Sequence, residues 1–249
     1  MGHHATARSH LSLMGHFLVR RGRQPVQVCP SARRLVALVA VQGPLAREEA
    51  AGRLWTDLTR ARALADLRTV LWRLHRDVPG LLVRRGEMLH LAEDVHVDLD
   101  DVRAWCRASL AADQPLDDSP AGVNQELLPG WGDPWLVGVR EELRLVQLNA
   151  LQKQAEYLLA RGRLVEATER VMAAIALDPL RESATRLLIE IHVREGNTAE
   201  ALRLYRRFES LLWRELRVAP DRQLSLALGE AVRFVVPGHQ LQAGSARAR

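Results

Sequence analysis

The chain has 249 residues, 47% hydrophobic and 26% charged, a globular balance rather than a disordered one. No apolar run approaches the roughly 20 residues of a membrane-spanning helix, and no signal peptide is read before the first predicted strand. Cys29 and Cys106 form neither a metal nor a redox spacing, which fits structural thiols in a reducing cytoplasm.

The formal charge of +5 is unevenly placed. Residues 1–105 carry 16 Arg against 11 acids, whereas the remainder balances at 19 against 19. A basic N-terminal half joined to a neutral C-terminal half points to a polyanion-binding module with a neutral partner domain. Lys153 is the only lysine, so the basicity is guanidinium, which forks onto phosphate or guanine. No Gly-Lys pair is present, which removes a phosphate-cradling P-loop.

Residues 1–10, with His3, His4 and His10, read as a disordered start without metal. Alternation at Leu11, Leu13, Phe17 and Val19 predicts a half-buried strand. Arg21-Gly22-Arg23 predicts a turn into a second short strand through Val26 and Val28. Pro30-Ser31 starts a helix with Leu35, Val36, Val39 and Ala40 on one face, stopped by Gly43-Pro44. A second helix is expected from about Ala46 to Trp55, with Glu48 and Glu49 at its positive end. Trp55-Thr56-Asp57-Leu58-Thr59 then leads to a third.

That third helix organises the reading. Leu64, Leu67, Leu71, Leu74 and Val78 fall on one stripe, and Arg62, Ala65, Thr69, Trp72, Arg73 and Arg76 on the opposite face, with Arg60 at the start. A helix that buries one side and offers guanidiniums, a hydroxyl and an indole on the other suits the DNA major groove. An ordinary surface helix with a solvated basic face is the alternative reading of the same stretch.

After Pro79-Gly80, Leu81 to Leu91 reads as a hairpin turning at Gly86, with Arg84 and Arg85 at its tip. Strands, three helices and a basic-tipped hairpin make a winged helix-turn-helix with an added N-terminal sheet, assigned to residues 11–98. Asp98 ends a strand through Val95 and Val97, and Asp100 and Asp101 begin a helix through Trp105, which gives the acidic cluster a structural role rather than a metal-binding one.

Ala112 to Gly122 reads as a linker. Trp131 and Trp135, within Leu127-Leu128-Pro129-Gly130-Trp131-Gly132-Asp133-Pro134-Trp135, are expected to lock one domain against the other. From Val139 helical periodicity is nearly unbroken, with stops at Gly162, Pro179, Gly196 and Pro220. Gly162 and Gly196 lie 34 residues apart, as do Ala167 and Ala201, which is the tetratricopeptide pattern. Tyr157, Leu158, Leu188, Tyr205 and Phe208 are assigned to the core between these helices, and Gln223 to Phe234 to a last helix. The second domain is set at 99–236, and 237–249 reads as a disordered tail. The fold class is mainly α with a small β component.

Several of these pieces together resemble a known family. They are Arg33-Arg34-Leu35-Val36-Ala37-Leu38-Val39-Ala40, Arg47-Glu48-Glu49-Ala50-Ala51-Gly52-Arg53-Leu54-Trp55, Leu67-Arg68-Thr69-Val70-Leu71-Trp72-Arg73-Leu74-His75-Arg76, Val95-His96-Val97-Asp98-Leu99, Leu127-Leu128-Pro129-Gly130-Trp131, Asp178-Pro179-Leu180-Arg181-Glu182 and Glu215-Leu216-Arg217-Val218-Ala219-Pro220. In this order they resemble the Streptomyces antibiotic regulatory proteins, activators that join an OmpR-type winged helix to a bacterial transcriptional activation domain. Two positions depart from the family pattern: Gly86-Glu87-Met88 stands where many members have Gly-Tyr, and Arg217 replaces a glycine.

The resemblance implies an activator that binds direct repeats of double-stranded DNA near a promoter's −35 element, side by side with a second copy of itself, and controls a secondary-metabolite gene cluster. It implies recruitment of RNA polymerase through the sigma factor's last domain, the beta flap and the alpha C-terminal domain, with Trp55, Thr56 and Asp57 as contact candidates. The DNA-binding set is Arg60, Arg62, Arg68, Thr69, Trp72, Arg73, Arg76, Arg84 and Arg85. A cytoplasmic, nucleoid-associated protein is expected, with no cofactor, metal or membrane partner. Two competing readings are a repressor with the same DNA chemistry and a tetratricopeptide adaptor that binds protein alone. An enzyme is not expected, because no nucleophile elbow, His-Glu-x-x-His, paired cysteines or Gly-rich phosphate loop occurs.

Overall fold

The computed structural model describes residues 9–116, 118–226 and 229. Contacts group them into two units: residues up to 111 together with 116–149, and residues 112–115 together with those from 150 onward. The helix across the division contributes its first part to one unit and its last part to the other.

The first unit begins with a sheet in the order β3-β2-β1-β7, formed by β1 (Ser9–Ser12), β2 (Leu18–Arg21), β3 (Gln24–Val26) and β7 (Val95–Val97). The single strand expected from Leu11 to Val19 is in fact two. The chain reverses at Gly15, whose φ of 75° is open to glycine, and Leu11 then pairs with Val19. Ser9 and His10 lie in β1, so this part of the expected disordered start is ordered by its neighbours; His3 and His4 lie outside the described residues. Leu11, Val19 and Val97 form a buried row, while His10 and Arg20 of the alternate row are exposed.

Helix α1 (Pro30–Gln42) begins with proline in its first turn and ends at Gly43 (φ 85°), whose amide donates to the Val39 carbonyl. Its burial is wider than the one face expected. Ala32 and every residue from Leu35 to Val41 are buried, so α1 is the post around which the unit packs. The two-residue strand β4 (Leu45–Ala46) precedes α2 (Arg47–Leu54), and α3 spans Arg60–Asp77. The hairpin β5 (Leu82–Arg85) and β6 (Met88–Leu91) turns at Gly86, and β4 adds to β6, where only the start of a helix was expected.

Helix α4 (Asp98–Ala111) starts at Asp98 and runs six residues past Trp105, with Val102, Trp105, Cys106 and Ser109 buried along it. Asp98 does more than end a strand. Its carboxylate accepts from the backbone amides of Leu13 (2.8 Å) and Met14 (3.2 Å), tying the start of α4 to the end of β1. Leu128, fully buried with φ of 47°, donates its amide to the Leu13 carbonyl, and a Met14–Leu127 bridge continues this seam. Arg140, on α5 (Pro134–Ala160), donates to the carbonyls of Leu127 (3.0 Å), Leu128 (2.7 Å) and Trp131 (3.2 Å). Trp131 stacks on Phe17, ring centroids 5.8 Å apart. That contact joins the segment assigned to the first domain to the one assigned to the second, and both fall within one compact unit. α5 itself begins at Pro134, before the Val139 that periodicity suggested.

The second unit contains the last part of α5, α6 (Leu164–Leu177), α7 (Glu182–Arg194) and α8 (Thr198–Leu216). The 34-residue period is written in backbone bonds. Gly162 donates to Leu159 and Arg163 to Leu158; 34 residues on, Gly196 donates to Val193 and Asn197 to His192. Both glycines have positive φ, and Ala167 and Ala201 are fully buried just beyond them. Leu158, Leu188 and Phe208 are buried as expected, whereas Tyr157 and Tyr205 are half-buried. Ile189, Ala201, Phe208, Leu212 and Leu224 form one cluster. Of the expected last helix, residues 222–226 are helical and much of the remainder lies outside the described residues. Arg217 ends α8 in the left-handed region (φ 59°, ψ 33°), so the turn is kept although its glycine is not.

Two predictions follow from this architecture. Burial, opposed by the amides of Leu13, Met14 and Leu99, pushes the Asp98 carboxyl above its ordinary value of 3.8. The folded state then holds this proton more firmly, so the group's stability contribution falls as pH rises from 3.8 through the folded value and is level above it. An NMR titration of the Asp98 carboxyl should show its midpoint above 3.8, and Asp98→Ala should cost about 1–3 kcal/mol for each amide left unpaired. Arg217→Gly should raise stability in thermal unfolding by roughly 1 kcal/mol, since a left-handed non-glycine residue is strained by about that amount.

Candidate nucleic-acid interface

The seating of α3 decides which of its side chains reach solvent. Ala63, Leu67, Val70, Leu74 and, just past the helix, Val78 are buried, at spacings of four, three, four and four. The buried stripe is therefore rotated from the expected one: Leu64 and Leu71 sit at its half-buried edge, and Ala63 and Val70 take the centre. The small Ala63 and β-branched Val70 are less conspicuous than leucine in a sequence, which is why the stripe was centred wrongly. Arg62, Arg68, Thr69, Trp72, Arg73, His75 and Arg76 are all exposed, and Ala65 is half-buried.

These cations are not equally available. Arg60 donates to Glu48 of α2 at 2.5 Å, an interaction that raises its pKa further and turns it toward α2. Arg62 lies 3.6 Å from Asp66, and Arg76 2.8 Å from Asp77 while its guanidinium also sits 5.3 Å from the Trp72 ring centroid. Such exposed pairs are worth about 0–1 kcal/mol and yield easily to a polyanion. Among the described residues Arg68 and Arg73 have no carboxylate partner. Thr69 spends its hydroxyl proton on the Ala65 carbonyl (3.2 Å), leaving its oxygen as an acceptor. Trp72 is 63% exposed, an unusual position for an indole without a partner surface.

At the hairpin, both arginines of the tip are exposed, but they differ. Arg85 pairs with Glu93 at 2.5 Å and holds that carboxyl below its ordinary range, whereas Arg84 has no carboxylate partner among the described residues. The α2–α3 connection presents Thr56, Asp57 and Leu58 to solvent with Trp55 half-buried; Thr56 Oγ1 reaches Asp57 at 3.5 Å. Sequence reasoning placed Glu48 only at the helix dipole and missed its pairing with Arg60, and it missed Glu93, which pairs with Arg85. It also missed His75 and Arg47, which flank α3 and the hairpin. Cross-element ion pairs leave no local periodicity by which to find them.

A family model described as bacterial transcriptional activator domain matches residues 82–233, more than half of the chain. No curated protein matches. Among solved structures, the chain is similar to Mycobacterium tuberculosis EmbR, whose structure is described as a complex with a low affinity phosphopeptide. The TM-score is 0.63 at 19% identity, over 91% of this chain and 65% of that one. At that identity the likeness is one of fold. The chain spans somewhat under two thirds of the EmbR chain. Among the described residues no helix is long and apolar enough to cross a membrane.

The seating of α3 separates stability from surface chemistry. Leu67→Ala should cost about 2–5 kcal/mol in denaturant unfolding by opening the core. Trp72→Ala should leave stability within about 0.5 kcal/mol, since its indole is exposed.

Proposed function

Because this chain belongs to the bacterial transcriptional activator domain family, we propose that it is a sequence-specific DNA-binding activator of the Streptomyces antibiotic regulatory type. The observation that carries the reading is the solvent arc of α3, where Arg62, Arg68, Arg73 and Arg76 surround an exposed indole. On this reading α1 to α3 and the β5–β6 hairpin are an OmpR-type winged helix-turn-helix, and α3 enters the major groove. Arg73 forks onto a guanine edge, Arg62, Thr69 and Arg76 contact neighbouring bases, and Arg68 and Trp72 flank them. Arg84 and Arg85 on the wing take phosphate or the minor groove, with Arg85 leaving Glu93 to do so. Arg60, turned to Glu48, serves to position the helix start rather than to read a base.

The sites are direct repeats near a −35 element, occupied by two copies side by side. The exposed connection of Trp55, Thr56 and Asp57 offers a surface for RNA polymerase, through the sigma factor's last domain, the beta flap or the alpha C-terminal domain. The repeated helices of the second unit are tetratricopeptide-like, and the regulated genes form a secondary-metabolite cluster. The protein works in the cytoplasm, on the nucleoid.

Arg73→Ala should weaken binding to the cognate site by a further 1–3 kcal/mol or so relative to random DNA in a gel-shift titration. Equal loss on both would make Arg73 a phosphate contact. The log of affinity should fall with the log of salt at about 0.9 per phosphate neutralised. Transcription from purified polymerase separates activator from repressor, and absence of any shift at low salt would favour an adaptor that binds protein alone.

A further inference from the structure

Between the C-terminal half of α3 and the β5–β6 hairpin lies an open groove of about 440 Å³, within the size range of small-molecule sites. Its floor is apolar: Leu89 is buried, and Leu71 and Leu82 are half-buried. Its edge is basic, from Arg47 at the start of α2, His75 of α3 and Arg84 of β5. No carboxylate of the described residues lines it. The Arg47 Nε is buried and has no hydrogen-bond partner among the described residues, and Arg47 lines the groove. Three acids of or beside the same elements are engaged elsewhere, Glu48 with Arg60, Asp77 with Arg76 and Glu93 with Arg85. Glu87, whose carbonyl accepts from the Arg47 amide, is an exposed turn residue outside the groove lining.

We propose that this groove binds a small amphipathic carboxylate, with its apolar body on Leu71, Leu82 and Leu89 and its anionic head between Arg47 and Arg84. Charge complementarity selects the anion, and the leucine floor selects against a bare inorganic one. A DNA phosphate suits the floor poorly, because it would desolvate charge against hydrocarbon. The ligand bridges α3 to the hairpin and occupies Arg84. On the DNA-binding reading above, it therefore lowers affinity for DNA and acts as an effector of the regulator.

The site is tested on the full chain without DNA, by calorimetry and amide NMR with cinnamate and its neutral analogue cinnamamide. Cinnamate should bind saturably, and the amide about tenfold or more weaker, the loss expected for a charge-assisted pair. Shifts should be confined to Arg47, Leu71–His75, Gly80–Arg84 and Leu89. Arg47→Met and the groove-filling Val83→Trp should both weaken binding, with unfolding curves confirming that each is folded. Equal binding of acid and amide, shifts elsewhere, or no saturable cinnamate binding overturns the proposal. So does an Arg47→Met variant that loses DNA affinity while cinnamate fails to bind, since the groove then holds a phosphate. If cinnamate binds as expected and no DNA fragment does, the DNA-binding reading falls and the groove stands.

Discussion

The arrangement of the first unit depends on how α3 is seated. Five apolar side chains, Ala63, Leu67, Val70, Leu74 and Val78, fix its rotation against α1 and α2. Successive helical residues differ by about 100°, so a one-residue rotation would carry exposed guanidiniums toward the core at prohibitive cost. Core packing thus determines which residues of α3 face solvent. The exposed Trp72, and the absence of a carboxylate partner for Arg68 and Arg73 among the described residues, are results of that constraint as much as of their own chemistry.

The same unit shows that arginine has two different uses here. Arg33 donates to the Val28 carbonyl, Arg34 to that of Leu54 and to the Asp133 carboxylate, Arg103 to that of Val41, and Arg140 to three carbonyls of one loop. These forks replace missing secondary structure by satisfying backbone acceptors in irregular segments. The arginines of α3 and the hairpin bond instead to nearby side-chain carboxylates or to solvent. A charge sum over the first 105 residues counts both kinds alike, and so overstates the cations free to meet a polyanion.

This explains how much was legible in advance. Helices α1 to α3, the hairpin at Gly86 and the 34-residue repeat were all readable, because periodicity, proline, glycine and alanine signal local geometry. The basic arc of α3 was readable for the same reason. Features that join distant parts of the chain were not: the parallel partner of β1, the Asp98 carboxylate on the Leu13 amide, the role of β4, and the acids that neutralise Arg60 and Arg85. Arg217 is instructive in another way. Arginine is not a residue that favours the left-handed region, yet the backbone at Arg217 takes that conformation, its amide donating to the Trp213 carbonyl at the helix end.

The pairing of β1 with β7 also bears on how the protein comes into being. Leu11 aligns with Val97, and the Leu13 amide waits for a carboxylate 85 residues downstream. As the chain is made, β1 is therefore a bare edge of the first sheet until β7 follows it, after which β3 and β7 are the edges. Such late closure ties the speed of folding to translation through loop entropy. Until then the β1 edge of the nascent strands is open to pairing with the wrong strand.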